Sequence, residues 1–308
     1  MSLYPAGYFV RDIPVVASLT LPVGWKGATA LRPTAISPNN KIIFEEVSHD
    51  TLINLPVFAG KYFRSDDLGH GVNLNTVADT PKELVIPPDV LAKHRALADQ
   101  AVKLFGARHF DHYDFLHAVT DRLGGIGLEH HRSSENKNDP GYFIDWEASI
   151  AGHNLLPHEF IHSWNGKFRR GADLWTPDYR TPMQDSLLWV YEGQTQFWGH
   201  VLEAHSGLST KQQVLDKLAL IAANLDNLPG CQIASKGDRW STRPSTRSCR
   251  AVAPSRGRAI SAPRIITMKG YWFGPRPIRS CARKAGASDR WTISRTRFSA
   301  STTATLAR

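Results

Sequence analysis

Pro157-His158-Glu159-Phe160-Ile161-His162 is the stretch on which the reading of this chain turns. On a helix, residues four apart lie on one face, so His158 and His162 can aim two imidazoles at a single metal ion. Glu159 follows the first histidine, where its carboxylate can reach a water held by that metal. The flanks are apolar: Leu155, Leu156, Phe160, Ile161 and Trp164 surround the polar trio. Such a helix is buried, and buried imidazoles and carboxylates need partners, which a metal supplies. The constellation is that of a hydrolase using one zinc ion, and of a peptidase first of all.

A hydrolytic zinc needs a third protein ligand and an open position. Glu192, 30 positions after His162, is the candidate. It sits in Leu187-Leu188-Trp189-Val190-Tyr191-Glu192-Gly193-Gln194-Thr195, with Leu188, Tyr191, Thr195, Trp198, Val201 and Leu202 at helical spacing. A carboxylate in such a stripe is costly unless it is paired. His153, His200 and His205 are alternatives by residue type, but none has this context, and structural or solvated roles suit them better.

Charge divides the chain. Residues 1–230 carry 20 Lys+Arg against 26 Asp+Glu, whereas residues 231–308 carry 17 against 2 and hold all three cysteines, Cys231, Cys249 and Cys281. The body is therefore mildly acidic and free of cysteine, so the cysteines say little about redox compartment. No run of 18 apolar residues exists, which gives no reason to expect a membrane partner. No signal peptide is visible and the compartment stays unassigned. The chain enters a strand-like pattern almost at once, so an upstream portion is expected.

The pattern predicts an α+β protein. Residues 1–88 read as β-rich, half of a sandwich, with runs such as Val15–Leu21 and Lys41–Phe44 between Pro, Gly and Asn. Residues 89–230 read as mainly helical. A stripe from Leu91 to Phe105 ends at Gly106, a strand and a Gly-rich turn fill 112–131, and the metal-site helix takes roughly 147–165. Pro157 implies either a kink there or a new helical segment. A last helix opens with a capping box at Ser209-Thr210-Lys211-Gln212. Residues 231–308 read as an irregular or disordered tail.

Three segments in order, G-I-G-L-E-H (125–130), P-H-E-F-I-H-S-W-N-G-K (157–167) and L-L-W-V-Y-E-G-Q-T-Q (187–196), resemble the glycyl aminopeptidase family, as does the weaker L-I-N-L-P-V-F-A-G (52–60). The resemblance covers about residues 1–230. It implies an N-terminal β domain, a thermolysin-like catalytic domain of the gluzincin type and, often, a C-terminal PDZ domain. It implies zinc on His158, His162 and Glu192, with Glu159 as general base. The implied partners are peptides with a free N-terminus, Gly or Ala favoured. Glu129 resembles the acidic anchor with which related aminopeptidases hold the substrate ammonium.

The tail departs from that family. A basic arm for RNA is one reading of it. Shifting the frame by two bases provides another. Met268-Lys269 then yields Glu, Tyr271-Trp272 yields Leu and Trp272-Phe273 yields Val, whatever the codons, and the stretch from Ile265 to Gly274 can read Y-Y-N-E-G-L-L-V-W. Asp238–Pro244 can read P-L-V-D-T-A, and Trp291–Ala300 can read D-D-F-A-H-A-F-F-G. These strings look like the family, so a frameshift near 230–237 is the preferred explanation, and no nucleic-acid partner is expected. Related enzymes use a tyrosine after the metal site to donate to the oxyanion, and Ile265–Lys269 as written supply none. The expectation is a chain that keeps its ligands, exposes apolar faces of the 185–228 helices, folds poorly and hydrolyses little.

Overall fold

The computed structural model describes residues 3–37 and 40–226. The unit ending at Lys217 holds nearly all of the described elements, and Leu218 begins a second unit. The expected frame change and the basic tail lie outside the described residues.

Short strands open the chain: β1 (Pro14–Thr20), β2 (Lys26–Ala28), β3 (Pro33–Ile36) and β4 (Lys41–Ser48), then the one-and-a-half-turn α1 (His49–Ile53) and β5 (Phe58–Gly60). They make a three-stranded antiparallel sheet, β1-β4-β3, and a two-stranded one, β2-β5. Their core is small: Ala30, Leu31, Phe44 and Leu55, with Leu19, Ile42 and Val47 packed beside it. Ser48 caps α1 by accepting from the Thr51 N–H at 3.1 Å.

The larger layer is a five-stranded sheet in the order β6-β7-β8-β10-β9, formed by β6 (Tyr62–Asp67), β7 (Val72–Ala78), β8 (Tyr113–Val119), β9 (Gly127–Glu129) and β10 (Ser133–Asn138). β7, β8 and β10 run parallel, while β6 and β9 are antiparallel edges. A parallel pair needs a crossover, and α2 (Pro88–Phe105) supplies it between β7 and β8. The break expected at residue 88 therefore falls between two elements of one βαβ unit. The apolar stripe of α2 buries Val90, Leu91, Leu97, Ala98 and Ala101, and Gly106 ends the helix in the left-handed region at φ 67°. Every residue of β8 is buried, as a central strand covered on both faces requires.

The metal-site helix is shorter than the spacing predicts. A 3₁₀ stretch takes Trp146–Gly152, and α3 runs only over Leu155–Ile161. Pro157 resolves as the start of a new segment: it lies in the first turn, where no N–H is required of it. Leu156, Phe160 and Ile161 are fully buried, and the Phe160 ring packs 4.6 Å from Tyr113 and 5.2 Å from Phe115 of β8. This seats α3 against the centre of the sheet. After it come a π-helical stretch, Trp189–Gln194, then α4 (Thr195–His205) and α5 (Lys211–Asp226). The capping box of α5 is one residue later than expected: the Thr210 hydroxyl accepts from the Gln213 N–H at 3.2 Å, and Gln213 Oε1 accepts from the Thr210 N–H at 2.8 Å. Ser209 is instead drawn inward to Glu203, at 2.6 Å. No helix among the described residues is long and apolar enough to cross a membrane.

Candidate metal centre

His158 lies on α3 and His162 caps its end, one turn further on. Their Nε2 atoms are 3.1 Å apart. Glu192 approaches from the π-helical stretch, its Oε2 3.2 Å from the His162 Nε2 and 3.7 Å from the His158 Nε2. A tetrahedral metal with bonds of about 2.0–2.2 Å sets its donors about 3.3–3.6 Å apart, and these three separations bracket that spacing. The Glu192 Oε2 is buried and accepts no hydrogen bond among the described residues, a costly position for a carboxylate oxygen that a cation would relieve. Distance alone also groups Glu159 with the two histidines, their ligand atoms lying within 4.8 Å of one another. Glu192 is the better third donor, because one of its oxygens faces both Nε2 atoms at close to donor spacing. These residues could hold one metal ion.

Protonation suits that use. Burial, with His162 beside it, holds the His158 imidazole at about 3, so it is neutral at ordinary pH, as a ligand must be. Burial and the carboxylates of Glu129 and Glu192 push Glu159 well above the usual carboxylate range. A divalent cation beside it acts in the opposite direction.

Gly127 of β9 makes room for Glu159. A Cβ there would stand 2.4 Å from the Glu159 Oε1 and 2.7 Å from Leu155 Cδ1. From below, the Tyr113 hydroxyl donates to the Glu159 carbonyl at 3.3 Å. Gly166, at φ 131°, does the same for Tyr191: a Cβ would meet the Tyr191 ring at 2.5 Å, and that ring lies 4.7 Å from His162.

Glu129 stands at the end of edge strand β9, beside the metal-site residues. The Tyr191 hydroxyl donates to its Oε1 at 2.5 Å, and the Lys167 ammonium lies 3.5 Å from the same oxygen. Burial alone would raise Glu129, but Lys167, His162 and Tyr191 outweigh it and hold the carboxyl at about 2. Lys167, Tyr191, Gly127 and Asn165 are the neighbours that motif reading passed over, although all four fall inside the segments that carry the resemblance.

The other histidines divide as their contexts suggest. His200 Nδ1 meets the buried Glu203 at 3.2 Å, and His153 Nδ1 meets Ser209 at 3.2 Å; Lys217 closes the cluster on Glu203 and donates to the Ile150 carbonyl at 2.6 Å. His205 is exposed. His130 pairs with Glu135 at 3.0 Å, and His131 meets His109 at 3.1 Å. The flank of the Glu192 segment is open, with Leu187 41%, Trp189 73% and Phe197 54% exposed, as expected for the 185–228 helices.

Comparison with solved structures agrees on the fold. An aminopeptidase N family protein from Idiomarina loihiensis is 24% identical, with a TM-score of 0.56, over 67% of this chain and 36% of that one. This chain thus spans little more than a third of that protein's length. An M1 zinc metallopeptidase from Deinococcus radiodurans (16% identical, TM-score 0.41, 70% of this chain and 45% of that one) and native yeast LTA4 hydrolase (16%, 0.41, 69% and 30%) are more distant. No curated protein matches. The profile of M61 glycyl aminopeptidase matches residues 152–253, running past residue 230 into the basic segment. That segment contains both histidines and both glutamates of the candidate site, so the similarity to M61 glycyl aminopeptidase falls on the site itself.

Proposed function

We propose that the chain carries the catalytic portion of a zinc aminopeptidase that releases N-terminal residues, Gly and Ala favoured, with hydrolysis impaired in this particular chain. The observation that carries the reading is the convergence of two imidazole nitrogens and one carboxylate oxygen within 3.1–3.7 Å, with Glu159 beside them. His158, His162 and Glu192 would hold one zinc ion. Zinc, when bound there, polarises the scissile carbonyl and makes water acidic enough to attack near neutral pH. Glu159 takes a proton from the attacking water and returns it to the leaving amine. Glu129, held through Oε1 by Tyr191 and Lys167, is the residue that receives the substrate's ammonium. Edge strand β9 pairs on one side with β10 only, which leaves main-chain groups for an extended peptide. In this reading the two small sheets of β1–β5 contribute to an N-terminal β domain, the five-stranded sheet and the helices packed on it to an incomplete thermolysin-like domain, and residues 231–308 are out of frame.

Impairment follows from the oxyanion. Tyr191 gives its hydroxyl to Glu129, and Tyr113 gives its own to a backbone carbonyl, so neither is poised to donate to a tetrahedral intermediate. Loss of one such donor costs about 10²–10³ in rate. The same observation favours a second reading, a metal-binding remnant without activity.

Metal analysis and turnover separate these readings. The purified chain should carry one zinc, His158→Ala should carry none, and both should hydrolyse Gly- and Ala-anilides slowly or not at all. A chain that binds no zinc sinks the proposal. Rapid anilide turnover by the chain as written refutes the impairment. Salt-sensitive nucleic-acid binding lost on deleting 231–308 would favour the basic-arm reading instead.

A further inference from the structure

Asn165 joins the two parts of the metal centre. Its carbonyl lies 3.1 Å from the His162 Nδ1, and a carbonyl can only accept, so Nδ1 carries the proton and Nε2 keeps its lone pair for the site. Its side-chain amide reaches the other way, to the segment that carries Glu192. Nδ2 donates to the Val190 carbonyl at 3.0 Å, to the Thr195 hydroxyl at 3.0 Å and to the Tyr191 carbonyl at 3.3 Å. The Thr195 hydroxyl donates in turn to the Tyr191 carbonyl at 2.7 Å and lies 3.5 Å from the His162 Nδ1. These acceptors bracket Glu192 in sequence. Among the described residues, no other side chain hydrogen-bonds the carbonyls of both Val190 and Tyr191.

The need for such a tie is physical. Two histidines a helical turn apart are set by local geometry, but Glu192 arrives 30 residues later on a stretch whose outer face is open. A π-helical turn has a wider, weaker hydrogen-bond pattern than an α-turn, so its carbonyls need outside donors to hold one position. We infer that Asn165 is a positioning residue that sets the third ligand: its amide clamps the Val190–Thr195 turn so that the Glu192 carboxylate meets the imidazoles at coordination distance. The inference rests on the metal-site reading above and concerns metal affinity rather than turnover.

Asn165→Ala keeps the backbone carbonyl that orients His162 and removes only the amide. Asn165→Asp keeps the shape as well but presents oxygens to carbonyl oxygens, so it is the variant to use if the alanine form folds badly. Zinc and cobalt(II) affinities are measured by competition with a chromogenic chelator, with the cobalt d–d spectrum as the readout of coordination. Each Asn165 variant should lose about 10–100-fold in affinity, with an altered cobalt spectrum. In a Glu192→Ala background the Asn165 change should cost nothing further, because its effect runs through Glu192. Unchanged affinity in both Asn165 variants, while Glu192→Ala loses metal, would overturn this inference alone. An equal loss with and without Glu192 would overturn it too. A wild-type chain that binds neither metal overturns the metal reading and this inference with it.

Discussion

His158 and Glu192 face each other across less than 4 Å, yet they stand on very different ground. The helix under His158 is sealed: Leu156, Phe160 and Ile161 are fully buried against the sheet. The turn carrying Glu192 leaves Trp189 73% exposed, and Phe197 just beyond it 54%. Half of the candidate metal centre thus rests on a finished core and half on a face that nothing among the described residues covers. Apolar exposure of that kind marks a surface meant to be packed. In the sealed half the core imposes position. In the open half position depends on a few polar ties, Asn165 and Tyr191 foremost.

Substitutions can break or sharpen that contrast. Phe160→Ala removes a ring that touches Tyr113, Phe115 and Trp164, and should cost about 3–5 kcal/mol in urea unfolding. A loss below 1 kcal/mol would mean that the sealed half is not sealed. Acid should act next, and through the sealed half. Burial holds His94 and His117 at about 4, below the unfolded value of 6.5, so the unfolded chain binds more protons between those values. Stability should therefore be full above pH 6.5 and fall as pH drops toward 4, by on the order of 3 kcal/mol per histidine. Thermal midpoints at pH 7, 5.5 and 4 test this, and a flat profile contradicts it. Gly127→Ala pushes a methyl into the Glu159 carboxylate and Leu155 and should cost about 1–3 kcal/mol, less if the Glu159 side chain swings away. Trp189→Ser should change stability by less than about 0.5 kcal/mol while improving solubility, the smallest effect on unfolding and the clearest mark of an uncovered face. A large loss there would place Trp189 in a core and erase the contrast.

Much of the sealed half was legible in advance. The stripe of α2 and its glycine stop, the apolar flanks of His158 and the strand at 113–119 all follow from local periodicity. The length of the metal-site helix was not, because the residues before Leu155 carry the same apolar rhythm and adopt a 3₁₀ path instead. The cap of α5 slipped by one residue because Ser209 and Thr210 are equivalent by type, and only the buried Glu203 draws Ser209 inward. Lys167 and Asn165 stand in the quoted motif, but their partners, Glu129 and the Val190–Thr195 turn, come from elsewhere in the chain.

By itself, then, the sequence determined the pairing of His158 with His162, the carboxylate between them and the resemblance they carry, since a four-residue spacing on a helix is a local property. Only the tertiary structure decided that one Glu192 oxygen faces both imidazoles, that Gly127 admits the Glu159 carboxylate, and that Tyr191 and Lys167 share one oxygen of Glu129. Those contacts join residues about 30 or more positions apart. No local pattern encodes them; they exist because burying the sheet and α3 brings distant groups into one low-dielectric space, where polar groups must find partners.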